Sequence, residues 1–172
     1  MRVRALFIVL CATVSTVEPG VASAAPCWRP PVVGKVTDPF REPSCPYCPG
    51  NRGLEYVVTR STTVRAVAGG EVSWSGIVAG TRYVVVRHTD GRRATYGRLT
   101  STSLRTGDRV LAGTTVGSAS GQFYFGVRVG ETYVDPSSLL GRFVGRVRLV
   151  PVDGSSARPA PPPRLVCGAV DR

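Results

Sequence analysis

Between residues 54 and 134 short intervals rich in Val, Thr, Tyr and Phe alternate with Gly-containing turns: "EYVVT", "TVRAVA", "GEVSWSG", "RYVVVRH", "RATYGRL", "DRVLAG", "TTVGSAS", "FYFGVRV" and "TYVDP". Such intervals are too short for helices and too β-branched to favour them, while the glycines supply turns. The spacing therefore predicts an all-β fold, a single antiparallel sandwich or open barrel. The clearest local signal is "HTDGRRATY", in which Asp90-Gly91 joins two alternating strands as a hairpin.

The ends differ from this middle. "MRVR", the apolar "ALFIVLCATVSTV" and an A-x-A site at Ala22 and Ala24 predict a signal peptide over residues 1–24. The apolar run is too short to span a bilayer comfortably, and no later segment is a transmembrane candidate. The expected product is exported, either free outside the cell or associated with the wall. Residues 25–50 form a Pro/Cys-rich lead-in, 51–150 the β domain, and 151–172 a Pro-rich tail around "GSSARPAPPPR".

Five cysteines become four once Cys11 leaves with the signal. An even number in an exported chain favours disulfides. Cys27 and Cys167 lie near the two mature ends, and Cys45 and Cys48 form "CPYC", so the economical pairing is a terminal strap plus a local loop. A redox pair or half a zinc site is the rival for "CPYC"; the first needs a strand-to-helix setting and the second more ligands.

The net charge is +11 with a pI near 10.3, and nearly all the positive charge is arginine, since Lys35 is the only lysine. This balance favours polyanionic partners. No nucleic-acid module pattern is present, so for an exported chain the polyanions are wall polymers and headgroups. Scattering of the arginines along strands also fits ordinary solvated faces.

From about Pro31 to Gly141 the chain resembles the lysostaphin or LytM-type zinc endopeptidases of bacterial cell walls. The resemblance is carried in order by "TVRAVAGGEVSWSG" (63–76), "RYVVVRHTDGRRATYGRL" (82–99), "LRTGDRVLAGTTVG" (104–117) and "GQFYFGVRVGETYVDP" (121–136). In active members it implies zinc held by a His, an Asp four residues later and the second His of an HxH pair, with further histidines assisting. Here the first element stands as "NRGLE", with Asn51 and Glu55 at the ligand positions. The HxH pair stands as "QFY", with Gln122 and Tyr124, and Arg98 occupies an assisting position in "YGRL".

Zinc needs three good donors and an open position. Amides are weak donors, a phenol ionises only near pH 10, and a guanidinium adds positive charge beside the cation. The resemblance with these replacements implies a polar groove, a non-catalytic wall domain without zinc, and a partner that is either peptidoglycan peptide or a wall hydrolase. An active zinc endopeptidase with a rearranged site, using Glu55, His88 or the Cys45/Cys48 pair, is the alternative, and a basic scaffold without wall affinity is a third. His88, the only histidine, and Asp135-Pro136 are expected to be structural.

Overall fold

The computed structural model describes residues 27–45, 47–145, 159 and 161–167. The expected signal peptide and most of the Pro-rich tail lie outside the described residues. The chain is built almost wholly of strands: β1 (Lys35–Asp38), β2 (Leu54–Arg65), β3 (Gly70–Val78), β4 (Thr81–His88), β5 (Arg92–Ser101), β6 (Arg109–Val110), β7 (Thr115–Val129), β8 (Thr132–Val134), β9 (Arg142–Val144) and β10 (Arg164–Val166). One 3-10 turn, Pro136–Ser138, follows β8; Asp135 caps it by accepting from the Ser137 N–H (2.9 Å) and hydroxyl (2.7 Å).

β1 to β8 form one open antiparallel sheet in the order β1-β2-β7-β5-β4-β3-β6, with β8 added to β7; β9 and β10 form a separate pair. Period-two alternation assigns the faces. Val84 and Val86 on β4, Ala94 and Tyr96 on β5, and Phe123, Phe125 and Val127 on β7 have no exposed surface. Their neighbours Val85, Arg87, Arg93, Thr95, Tyr124 and Arg128 consequently occupy the opposite, outer face. Inside the core the Tyr96 hydroxyl accepts from the Val67 N–H at 2.9 Å, and its ring meets Phe125 at a centroid distance of 5.4 Å.

The long strands bend rather than stop. On β2 the pairing with β7 slips between Val58 and Thr62, where Ser61 has φ of 56°; on β7 Gly121 has φ of 76°. On β5 the register slips between Gly97 and Leu99, where Arg98 has φ of 59°. These bulges give one corner across three adjacent strands.

Both ends are pinned. Cys27 bonds to Cys167 with Cα atoms 5.5 Å apart, and Cys45 bonds to Cys48 with Cα atoms 4.9 Å apart. Next to the first, Trp28 exchanges backbone hydrogen bonds of 2.8 Å with Leu139 and Gly141, so the lead-in docks beside the chain leaving β8.

Candidate functional site

At the corner β5 and β7 part company. Gly97 pairs with Tyr124 and Leu99 with Ala119, so Gly121, Gln122 and Phe123 on β7 leave β5 and remain paired with β2. Normal alternation would turn Arg98 inward. The extra residue of the bulge instead lets Leu99 take the core position, 6% exposed, and aims Arg98 across the opening. Its guanidinium donates to Glu55 Oε1 at 2.9 Å and, through the other terminal nitrogen, to Gln122 Oε1. Three strands thereby meet through one side chain. The pair is partly solvated, with side-chain exposures of 37% for Arg98 and 23% for Glu55.

Tyr124 lies opposite Glu55 in the β2–β7 register. Its ring lies over a set of glycines: a Cβ on Gly53 would come within 2.8 Å of it, one on Gly97 within 3.1 Å, and one on Gly126 within 2.5 Å of the hydroxyl. Side chains there would displace the ring, so these glycines let Tyr124 lie along the outer face. Burial raises the Tyr124 phenol well above its ordinary pKa of 10.0, with Tyr133 and Tyr83 adding to the effect. It is therefore a neutral aromatic surface at physiological pH. Tyr83, whose ring lies against Gly97, extends that surface onto β4.

Asn51 stands apart from the Arg98 cluster. It is 7% exposed, and its amide donates to the carbonyls of Asp38 (3.1 Å) and Pro39 (3.0 Å) and accepts from the Gly53 N–H (3.3 Å). Its backbone also exchanges two 2.9 Å bonds with Arg41. The amide thus fastens the lead-in to the start of β2. His88 is farther away, on the core side: its Nδ1 faces the Gly69 carbonyl at 2.9 Å, its ring lies 5.2 Å from Trp28, and it is 4% exposed. Cys45 and Cys48 are consumed by their bond.

A divalent metal does not suit the residues at the corner. Glu55 is the one carboxylate in the cluster, Arg98 already occupies one of its oxygens, and the Asn51 amide is committed to backbone. Among the described residues, no group of three or more His, Cys, Asp or Glu side chains is placed to hold a metal ion. What the arrangement offers is hydrogen bonding beside an aromatic surface.

Fold and corner together define a domain of the LytM peptidase type that shows no metal-binding group among the described residues. The model of peptidase family M23 matches residues 49–136, and the chain belongs to that family. Among solved structures it is similar to Csd3 of Helicobacter pylori, with a TM-score of 0.59 and 20% identity over 67% of this chain and 35% of that one. This chain therefore spans only about a third of the length of Csd3. A mutant catalytic domain of the prophage-encoded M23 protein EnpA from Enterococcus faecalis gives a TM-score of 0.52 and 26% identity, covering 65% of this chain and 94% of that one. A chain of the SpoIIQ–SpoIIIAH pore-forming complex gives 0.60 and 18%, covering 68% and 92%. A search of curated protein sequences returns no match.

Proposed function

We propose that this chain is an exported, non-hydrolytic peptidase-family domain that works at the bacterial cell wall by binding peptidoglycan peptides along the outer face of its sheet, without zinc. The observation that carries this reading is Arg98: its guanidinium bonds both Glu55 and Gln122, so the one carboxylate of the corner is already paired with a cation rather than free for a metal. Peptides present amides and carboxylates. Arg98, Gln122 and Glu55 match those groups as donors and acceptors, and the Tyr83 and Tyr124 rings offer apolar surface for the chain between them.

Regulation of a wall hydrolase is the second reading. It is supported by the similarity to a chain solved in a complex with another protein, SpoIIIAH.

Sedimentation with purified, insoluble peptidoglycan tests the proposal. Binding is expected to persist in about 1 M salt, where the Debye length is only about 3 Å, and to fall on Arg98→Ala and on Tyr124→Ala. Binding that vanishes with salt and ignores both substitutions would reduce the interaction to bulk charge. Chelator-sensitive release of peptides from the same peptidoglycan would contradict the absence of hydrolysis.

A further inference from the structure

The outer face carries a second constellation, toward the other end of β7 from the corner. Arg87 on β4 lies opposite Arg93 on β5, and Arg93 lies opposite Arg128 on β7. Directly opposed like charges destabilise a sheet, so a row of three arginines requires an anion. The protein supplies one: Glu131, in the turn after β7, accepts from Arg93 Nη2 at 2.7 Å on one oxygen and from Arg128 on the other. The Glu131 carboxyl is held below its ordinary pKa, chiefly by the Arg93 hydrogen bond.

The row runs on to Glu71 of β3, opposite Arg87 in the register, so two carboxylates face three guanidinium groups and the row stays net positive. Among the described residues Arg87 makes no ion pair, and the buried Nε of Arg128 has no hydrogen-bond partner. The arginines line a cleft of about 340 Å³ together with Ser73, Trp74 and Thr95. Behind it, Tyr133 backs the Arg128 guanidinium at 4.9 Å from the ring centroid. Glu131 itself is 82% exposed, so it reaches the row from the rim and leaves the cleft open.

We propose that the Arg87–Arg93–Arg128 row is a binding site for the free carboxylates of acidic peptides, with Glu131 acting as an internal competitor for two of the three arginines. The proposal rests on reading the outer face as a peptide-binding surface, and it assigns to that surface a preference for ligands bearing more than one carboxylate. Glu131 already shows that a single carboxylate spans Arg93 and Arg128. A ligand carboxylate displacing it gains Arg87 as well. The row and the Arg98 corner lie on one face, separated along β7 by the six-residue step from Gln122 to Arg128, roughly 20 Å of strand. An extended peptide of about that length would reach both.

Titration calorimetry on the full chain with tri-glutamate, and with tri-glutamine and a glycerol-phosphate oligomer as comparison ligands, tests the assignment. Saturable binding is expected for tri-glutamate and absent for tri-glutamine. Arg87→Gln should weaken it about tenfold or more, as expected for loss of a charge-assisted bond, whereas Arg60→Gln, an equal charge change elsewhere on β2, should leave it unchanged. Glu131→Gln should tighten it, an effect that a purely structural Glu131 would not produce. Equal weakening by Arg87→Gln and Arg60→Gln, or no gain from Glu131→Gln, would overturn the site, and tighter binding of the phosphate oligomer would overturn its assignment to carboxylates. Peptidoglycan sedimentation that persists while tri-glutamate fails to bind sinks this inference alone; tri-glutamate binding without sedimentation sinks the wall-binding proposal alone.

Discussion

Arg98 is held in a left-handed backbone conformation that most side chains avoid at a cost of about 1–3 kcal/mol. The expense is intelligible only if the side chain must point across the opening between β5 and β7. Two substitutions separate backbone from side chain. Arg98→Gly and Arg98→Ala both lose the contacts with Glu55 and Gln122, but glycine accepts the backbone, so in urea unfolding Arg98→Gly should be more stable than Arg98→Ala by about 1 kcal/mol. Equal stabilities would mean that the strain is relieved by local rearrangement. Asn51 presents the reverse case, a buried amide saturated by backbone partners. Asn51→Ala should cost about 2–3 kcal/mol by leaving those partners unpaired, and the same unfolding experiment measures it. At His88 a carbonyl faces Nδ1, so that nitrogen carries the proton of a neutral ring, and burial lowers the pKa below 6.5 despite the opposing Gly69 hydrogen bond and Asp90 charge. The unfolded chain protonates first as pH falls. The contribution of His88 to stability is thus complete above about pH 6.5 and diminishes below it. Midpoints of thermal unfolding should decline between pH 7 and 5, and since the chain has one histidine, His88→Asn should flatten that slope.

At the scale of elements, the sequence pattern located most strands but misjudged how they join. "RYVVVRH" and "RATYGRL" are β4 and β5, joined at Gly91 with φ of 83° as the Asp-Gly signal implies. By contrast "TTVGSAS" and "FYFGVRV" are one strand, β7, and "EYVVT" runs on into β2 as far as Arg65. The intervening Gly121 and Ser61 look like turn residues because they adopt turn-like backbone angles; within a continuous ladder those angles produce bends. Placement of Glu55, Gln122 and Arg98 near one another was legible through the family pattern. The bulge that aims Arg98 was not, because an arginine between Gly97 and Leu99 carries no sign of its backbone angle. Nor was the arginine row, since it depends on strand register, which scattered arginines cannot specify. The terminal cysteines were readable from their positions, and their bond closes a separation of 140 residues. Replacing Cys27 and Cys167 together with serine should cost up to about 5 kcal/mol in the chain-entropy model, measured by denaturant unfolding, with the β9–β10 pair and the Trp28 bridge lost first.

For the whole molecule, the retained sheet and the altered corner carry different information. Glycines at the turns and beneath Tyr124 support the peptidase-type sheet, while the corner holds one ion pair and an amide. A net charge of +11 over the chain favours anionic partners in general, so in the proposed binding specificity rests on the outer face, where Arg98 at one end and the arginine row at the other offer directional hydrogen bonds. No helix among the described residues is long and apolar enough to cross a membrane. The function proposed for this face is binding without a metal ion. Elemental analysis of the purified chain after incubation with excess zinc and desalting tests it most directly. No stoichiometric zinc is expected, in the parent chain or in Glu55→Ala; one zinc per chain, lost on Glu55→Ala, would rule out metal-free binding.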